Sequence, residues 1–453
     1  MSTDKTSTNA QKTDAQKTNV QKTKVEKTSA AKQDAPAVEN PEAAAAAVTA
    51  VDPRLLVREQ GLAGYVGEFK RKMRAGELGS IPVVVGLIII CVVFQSLNSA
   101  FLSAENLSNI TITMVGTGMI SVGIVFVLLL GEIDLSVGSV SGASSALAAV
   151  LAVNQGLPEW LAILAAIAFG AVIGALHGFF FAVLGAPAFA VTLAGLLFWL
   201  GFMLQTLGEN GTINLDSDGL IGQLTTYNFS DIAAAYGLAA VVTAIFFLTG
   251  FLGNRRREAA GVPSRPMSDL ILRTALLAVV SFAAAFMYNQ YKGLPLATVI
   301  FLVFLVGTDF LLRRTAYGRK VFALGGSVEA SRRAGINVTA IRISVFAISG
   351  GFAAMGGLFL ASKIASANQS AGTGDLLMNA IAAAVIGGTS LFGGRGRTWN
   401  ALLGVMVIVS IQYGLQLESI AEPVKYMITA GVLLTTVVID SVTRKTQKTA
   451  GRA

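Results

Sequence analysis

The chain has 453 residues, of which 53% are hydrophobic and only 13% are charged. Soluble domains carry about 25% charged residues, so this composition argues against a soluble protein and predicts a polytopic membrane protein. The formal net charge of +8 does not indicate a nucleic-acid partner, because the basic residues bracket apolar runs in the pattern that sets membrane orientation.

The N-terminal region differs in composition from the rest of the chain. Residues 1–50 are polar, rich in Lys and Thr, and repeat QKTDA, QKTNV, QKTKV and EKTSA in tandem from Gln11. Such a segment cannot bury enough surface to offset its ordering entropy. We expect a disordered cytoplasmic tail, with a passive tail favoured over a docking element, and no apolar core of a cleaved signal peptide. Residues 51–79 are expected to form an amphipathic cytoplasmic lead-in.

Apolar runs long enough to cross a hydrocarbon core of about 30 Å follow one another from Ile81 onward. They predict an all-α fold, a polytopic membrane helix bundle with about 12 spans in a range of 10–12, over residues 80–442. Residues 443–453 would form a cytoplasmic tail. The spans at 137–153 and 377–391 are short, so either could be a half-helix or a re-entrant segment. The predicted spans are 80–100, 110–131, 137–153, 160–184, 187–206, 231–252, 270–288, 295–312, 341–361, 377–391, 398–416 and 424–441.

The basic clusters test this arrangement, because cytoplasmic loops hold an excess of Lys and Arg. Every cluster falls before the first predicted span or after an even-numbered one, so both termini are expected in the cytoplasm. The acidic stretch from Gly208 to Ser230, which has no Lys or Arg, would face outward. The clusters are Lys70–Lys72 with Arg74, Arg255–Arg257, Arg313–Arg314, Arg319–Lys320, Arg332–Arg333, Arg395 with Arg397, and Arg444–Lys445.

Cys91 and His177 are the only cysteine and histidine, and both lie in apolar runs. A disulfide within the chain and a Cys/His metal site are therefore impossible, and we expect no metal. For His177, a hydrogen-bonded position between helices is favoured over a proton relay, because transporter relays usually contain several ionisable groups within the membrane.

The first motif, Gly-Glu-Ile-Asp-Leu-Ser-Val-Gly-Ser, begins at Gly131, directly after an apolar run. Asp134 is a candidate to cap the following helix by accepting hydrogen bonds from amides that a membrane leaves unpaired. Alternatively, a broken helix carrying Ser136, Gly138 and Ser139 lines a substrate path, as discontinuous helices do in transporters. Both interpretations can hold together.

The second motif is the glycine-rich stretch from Gly387 to Gly396, which includes Gly388 and Thr389. It is not a phosphate-binding loop, because Gly394 and Arg395 stand where Lys and Ser or Thr should hold phosphate and magnesium. The chain contains no Gly-Lys dipeptide, so any ATP must be hydrolysed by another subunit. The stretch is either a tight turn between helices or part of a permeation path.

The third motif lies between the basic residues that follow the eighth predicted span. A short helix is predicted from near Ser327, as the cap, to Gly335, as the stop, with Glu329 near its positive end. On local pattern alone, a solvated basic helix is the alternative.

The spacing Glu329-Ala330-Ser331, three residues, then Gly335 resembles the coupling helix of ABC importer permeases. With Ile133–Ser139 and Gly387–Leu391 it makes residues 80–442 similar to the ribose/xylose/galactose permease family. The resemblance implies a bacterial plasma (inner) membrane, multi-pass subunit that imports a monosaccharide, a pentose such as xylose, by alternating access. It also implies docking of Glu329, Ala330, Ser331 and Gly335 on an ATP-binding subunit.

The partners implied by the resemblance are an ABC ATP-binding subunit with two nucleotide-binding domains, an extracytoplasmic sugar-binding protein and a second copy of this chain. ATP and magnesium would bind the ATP-binding subunit, so this chain would hold no cofactor and no catalytic site. The implied substrate path contains Asp134, Ser136, Gly138, Ser139, Asn379, Gly387, Gly388 and Thr389.

Departures from the family pattern concern Glu132, where many relatives have Gly, and Asn379, where many have Asp. The resemblance thus places an extra carboxylate near the predicted path. The segment from Arg255 to Pro295 resembles an inserted helical pair that shorter ribose permeases lack, which favours the xylose branch.

Other transporter classes compete with this interpretation. An ion-coupled sugar carrier would need carboxylates or a relay within the membrane, and Asp309 is the clear acidic residue deep in a predicted span. A channel would need a charged ring or a filter motif, which the sequence does not show. ABC permeases for nucleosides or branched-chain amino acids share much of this plan and stay open.

Overall fold

A computed structural model of the chain describes residues 81–262, 264 and 266–449. The predicted tail at 1–50, the lead-in at 51–79 and residues 450–453 lie outside the described residues. The apolar runs fold into helices, since a segment in lipid must satisfy its backbone hydrogen bonds internally.

Helices dominate the described part of the chain, which confirms the all-α prediction. Each predicted span coincides with one helix. Among the described residues, 9 helices are long and apolar enough to cross a membrane. Three apolar helical segments are shorter: Ile81–Leu97, Asp375–Ile386, and Pro423–Thr435, which is the apolar part of the last helix. In chain order the elements are α1 Ile81–Leu97, α2 Ala104–Leu129, α3 Val137–Ala149, α4 Glu159–Ala182, α5 Ala188–Leu207, β1 Thr212–Asn214, α6 Leu220–Thr226, β2 Asn228–Phe229, α7 Ile232–Ala259, α8 Met267–Asn289, β3 Leu294–Pro295, α9 Leu296–Arg314, α10 Ala316–Gly326, α11 Val328–Arg333, α12 Val338–Ile364, β4 Ser366–Asn368, α13 Asp375–Ile386, α14 Thr398–Leu417 and α15 Glu422–Thr449.

The two short predicted spans have different outcomes, because α3 with its extension to Asn154 is long enough to cross a membrane and α13 is not. α3 has 13 α-helical residues and continues as a π-helix over Val150–Asn154. α13 has 12 residues and ends at Ile386, before the predicted end of the span 377–391. A helix of this length is about 18 Å long, too short for a hydrocarbon core of about 30 Å. The helix ends just before Gly387. Its length supports the half-helix interpretation of this span over a full crossing.

The centre of the bundle is formed by α2 and α12, with 83% and 67% of their apolar windows buried by protein. Small residues make this packing possible, because there is no hydrophobic drive between helices in lipid. Where α4 crosses α12, a Cβ at Gly174 would meet the backbone carbonyl of Phe346, and one at Gly170 would meet that of Gly350. The two backbones therefore pack directly on each other.

Helices α7 and α8 form a hairpin at the periphery, and only 11% of each apolar window is buried. The structure begins this pair at Ile232, so the predicted insert from Arg255 to Pro295 covers the end of α7, the connection and α8. At its base, β2 pairs with β3 in antiparallel register, Phe229 opposite Leu294. The hairpin thus leaves and rejoins the bundle at one point.

The bundle has two chemically different ends. The arginines that finish α7 and α9, together with α10 and α11, lie at what we call the basic end. At the opposite end, β1 pairs with β4, Ile213 opposite Ala367. The Glu159 carboxylate accepts a hydrogen bond from the Ile221 amide there, at 2.6 Å, and so holds α6 on the end of α4.

Candidate functional site

The short helix α11 at the basic end matches the prediction from the third motif. The Ser327 hydroxyl accepts a hydrogen bond from the Ala330 amide, at 3.2 Å, and Gly335 has a φ of +77° after the helix. The Glu329 carboxylate lies 3.2 Å from Arg333 and 4.0 Å from Arg332. Surface pairs of this kind stabilise a helix only slightly.

The four residues predicted to couple with an ATP-binding subunit do not share one environment. Glu329, Ala330 and Gly335 are exposed at the surface of the basic end. Ser331, in contrast, is buried. Three of the four predicted docking residues are therefore exposed, and the fourth is covered by protein.

Asp134 is buried, with 4% of its surface exposed. Its Oδ1 accepts hydrogen bonds from the Ser136 amide at 2.9 Å and from the Ser136 hydroxyl at 2.6 Å. On the other oxygen, the Ser349 hydroxyl of α12 donates at the longer distance of 3.5 Å. Ser136 is the residue that precedes the first turn of α3, and no side chain caps that turn. Asp134 instead closes a turn with Ser136 two residues further on, so the predicted helix cap is not formed.

A chain of hydrogen bonds continues from Asp134 to His177. The Trp199 indole N–H donates to His177 Nε2 at 3.1 Å, and His177 Nδ1 lies 3.2 Å from the Ser136 hydroxyl. This network assigns the proton of a neutral imidazole to Nδ1, which donates to Ser136, which in turn donates to Asp134. His177 has the predicted hydrogen-bonded position between helices. Trp199 and Ser349 were missed, since no local pattern links them to Asp134.

Ser139 and Gly138, the other predicted path residues of the first motif, are also covered by protein in this conformation. The Ser139 hydroxyl donates to the Ser136 carbonyl at 2.9 Å and is buried. Gly138 packs against the carbonyl of Gly372, in the segment that leads from β4 to α13. The absence of a Cβ at Gly138 lets that segment approach α3 closely.

The second motif forms a tight turn between α13 and α14. Gly387 packs on the backbone of Asn400, and Gly388 has a φ of +102° that favours glycine. Thr389 is buried, and its hydroxyl accepts a hydrogen bond from the Asn400 amide group at 3.3 Å. These contacts explain the glycines as turn residues, the first of the two alternatives from the sequence.

Asn379 lies apart from the Asp134 network. It is half-buried and lines a groove of about 350 Å³ between α13 and α15. The walls are mostly apolar, with polar groups from Asp375, Tyr426 and Thr429. Such a groove, with a few polar groups, is the usual form of a small-molecule site.

Glu132 has a partner that the sequence did not indicate. Its carboxylate lies 4.0 Å from the Arg342 guanidinium, near the start of α12. That guanidinium also lies over the Phe181 ring, 4.3 Å from its centroid. Burial raises the pKa of the Glu132 carboxyl above its ordinary value, and the charge of Arg342 opposes the shift. The extra carboxylate thus links the turn after α2 to α12.

Comparison with known proteins identifies the family. The model for the permease component of branched-chain amino acid transport systems matches residues 106–437. The chain belongs to this permease family. It is a multi-pass protein of the inner membrane, and the resemblance to ABC importer permeases is confirmed.

Individual relatives refine this assignment. The permease is 34% identical to the xylose transport system permease protein of Escherichia coli K12, over 80% of this chain and 92% of the relative. It is 33% identical to the corresponding protein of Haemophilus influenzae, over 83% and 99%. The ribose import permease protein of Bacillus subtilis is 30% identical, over 82% and 96%. No solved structure matches the chain.

Asp309, the acidic residue deep in a predicted span, is only partly paired. One of its oxygens lies 3.9 Å from Arg313, one turn further along α9, and the other is buried without a hydrogen-bond partner among the described residues. Within the described residues, no group of three or more His, Cys, Asp or Glu side chains could hold a metal ion. Family membership is therefore the observation that weighs against the carrier alternative.

Proposed function

We propose that this chain is the membrane-spanning subunit of an ATP-driven importer that carries a monosaccharide, D-xylose or another pentose, into the cytoplasm. The single observation that carries the proposal is the exposed, capped helix α11 on the basic end of a chain related to xylose permeases. Basic ends face the cytoplasm in membrane proteins, where ATP is available.

Helix α11 has the form of a docking element. It is short, its first turn is fixed by Ser327, and the Ala330 methyl group points out from a helix that a larger domain can cover. The proposed partner is an ATP-binding subunit with two nucleotide-binding domains, which holds ATP and magnesium. A second copy of this chain would engage the second domain, since one chain offers one α11.

The sugar would pass beside Asn379. The groove that contains Asn379, Asp375 and Tyr426 offers an amide, a carboxylate and an aromatic ring, which suit the hydroxyl groups and apolar face of a pyranose. We propose that a second copy closes this groove and that alternating access opens it to one side at a time. A sugar-binding protein would deliver the pentose at the opposite end, near β1 and β4.

An importer for branched-chain amino acids is the second candidate, because the matching family model carries that description. ABC import of nucleosides is the third. The identities to xylose and ribose permeases favour a pentose over both.

Substrate identity is tested by uptake into proteoliposomes that contain this chain with its ATP-binding subunit and binding protein. Radiolabelled D-xylose should accumulate only when ATP is present on the side of the membrane that holds the ATP-binding subunit. Unlabelled leucine or uridine should not compete with D-xylose for uptake. Accumulation without ATP, driven by a proton or sodium gradient, would support an ion-coupled carrier instead.

Coupling is tested with Ala330→Trp, which places a bulky side chain on the exposed face of α11. We expect recovery of the ATP-binding subunit in a detergent pull-down to fall by about tenfold, which corresponds to about 1.4 kcal/mol of binding free energy. Ala260→Trp is the matched control, since Ala260 is exposed at the end of α7. Equal, full recovery with both variants would remove the coupling assignment.

A further inference from the structure

The loop between α13 and α14 is closed by hydrogen bonds between its own residues. The Ser390 amide donates a hydrogen bond to the Arg395 carbonyl at 2.9 Å, and the Ser390 hydroxyl accepts one from the Phe392 amide at 3.1 Å. Gly393 and Gly394 both have positive φ, which lets the chain reverse within this short closure. The loop therefore holds its shape without help from a partner.

Phe392 projects from this loop, with 70% of its surface exposed. Arg395 and Arg397 are exposed beside it, and Trp399 is partly exposed at the start of α14. Exposed aromatic and arginine side chains on a rigid backbone are the composition found at the centres of protein interfaces. A preformed loop also loses little conformational entropy when it binds.

The backbone of this loop is joined to the α10–α11 segment. A Cβ at Gly393 would lie 2.8 Å from the Gly325 carbonyl oxygen and 3.0 Å from the Gly131 amide. The Gly394 amide donates a hydrogen bond to the Leu129 carbonyl at 2.9 Å. We call these four glycines, Gly131, Gly325, Gly393 and Gly394, the glycine junction. It brings the first and second sequence motifs together with Gly325, two residues before the third motif, at the basic end.

We infer that residues 391–397 form a second docking surface for the ATP-binding subunit, with Phe392 as its anchor. The inference rests on the proposed function and extends it beyond α11. Three observations carry it: the loop lies at the same end as α11, it joins the α10–α11 segment backbone to backbone, and it presents an aromatic ring outward. Movement of the bound subunit would reach the Glu132–Asp134 turn through Gly131.

Photocrosslinking tests this contact directly in the assembled complex. Phe392→p-benzoylphenylalanine keeps a phenyl group at the position and reacts with whatever lies within reach. We expect an adduct with the ATP-binding subunit. The same replacement at Phe198, which is 64% exposed on α5, is the control and should give no such adduct.

The same replacement at Ala330 separates the failure of this inference from the failure of the proposed function. Adducts with the ATP-binding subunit from position 330 but none from 392 overturn the second surface and keep the importer. Adducts with lipid alone at 392 also overturn it and assign Phe392 to the membrane interface. No adduct with that subunit at either position removes the proposed function as well.

Phe392→Ala gives a quantitative measure that does not depend on crosslinking. We expect the dissociation constant of the ATP-binding subunit to rise about thirtyfold, the scale of an interface hot spot, while Phe198→Ala leaves it unchanged. The melting temperature of the free permease should stay at the wild-type value, because the Phe392 ring is mostly exposed. Unchanged affinity in the Phe392→Ala variant would contradict the inference.

Discussion

The central helices and the peripheral hairpin are equally apolar but are packed differently. The apolar window of α2 is 83% buried by protein, whereas those of α7 and α8 are each 11% buried. Mean hydropathy does not separate them, since it is 2.3 for α2 and 2.1 for both hairpin helices. Hydropathy therefore reports that a helix can enter lipid, while small residues and buried polar groups report where helices are held against each other.

The largest expected effect comes from adding a side chain at a central helix crossing. Gly174→Leu would force apart α4 and α12, because even a Cβ there meets the Phe346 carbonyl. We expect loss of about 3 kcal/mol of stability, the upper end of the cost of overpacked cores, and little folded protein. Gly237→Leu is the matched change in α7, where a Cβ would have no neighbouring atom within 4 Å. Fluorescence size-exclusion chromatography after expression measures the yield of folded protein for the two variants. Equal yields would show that the central crossing and the hairpin tolerate added side chains equally.

Asp134→Ala should abolish most transport. The change leaves the amide and hydroxyl of Ser136 without their acceptor, at a cost of about 1–3 kcal/mol for each buried group. Asp231 is the peripheral counterpart, since it caps α7 by accepting a hydrogen bond from the Ala233 amide at 2.9 Å. We expect xylose uptake to fall at least about tenfold with Asp134→Ala and to stay near wild type with Asp231→Ala. Asp134→Asn keeps a side-chain oxygen that can accept hydrogen bonds from Ser136, so it should recover part of the loss.

Removing the hairpin should reduce folding and transport less than Gly174→Leu or Asp134→Ala does. Strand partners such as Phe229 and Leu294 have Cα atoms about 5 Å apart, so a short Gly-Ser link can replace residues 231–292. The deletion loses the hydrogen bond from the Tyr291 hydroxyl to Glu105, at 3.2 Å. We expect the shortened chain to insert, bind the ATP-binding subunit and transport xylose. Failure to form a monodisperse bundle would show that α7 and α8 support the core.

The smallest expected effect is a pH dependence at Glu132. A carboxyl whose folded-state pKa is raised stabilises the folded state below its unfolded pKa and loses that contribution as pH rises through the folded value. Stability from Glu132 should therefore decline as pH rises above its ordinary pKa of 4.5. The melting temperatures of wild type and Glu132→Gln, measured at a series of pH values from below 4.5 upward, should differ in their dependence on pH. The melting temperature of the wild type should fall more steeply as pH rises. Parallel slopes would mean that Arg342 cancels the effect of burial.

The parts of the fold that sequence predicted are those set by local chemistry. Apolar length located the helices, and the Ser327 cap with Gly335 located α11, because a cap involves residues only a few positions apart. The same reasoning selected Asp134 as an acceptor for backbone amides, but its hydrogen bond comes from Ser136, the residue before α3, and not from the first turn of the helix. It placed the end of the short span too late, since Gly387 and Gly388 follow an apolar run without interrupting its hydropathy.

The contacts that sequence missed join distant segments. Neither Arg342 beside Glu132 nor Trp199 beside His177 is signalled by spacing, because each pair is formed by helices that meet only after packing. The glycine junction shows the same limit. Gly131, Gly393 and Gly394 were visible in two separate motifs, but their meeting with Gly325 depends on how α2, α10 and the loop after α13 are arranged.

The pairing of β2 with β3 at the base of the hairpin shows how a permease chain can gain or lose helices without disturbing its topology. Because β2 and β3 pair with each other, the chain departs from the bundle and returns to it at one place on one membrane face. Gain or loss of a complete pair alters mass and lipid contact but leaves every later residue on its original side. A single added helix would instead turn Glu329 and Gly335 toward the outside, where there is no ATP for a docked subunit to hydrolyse.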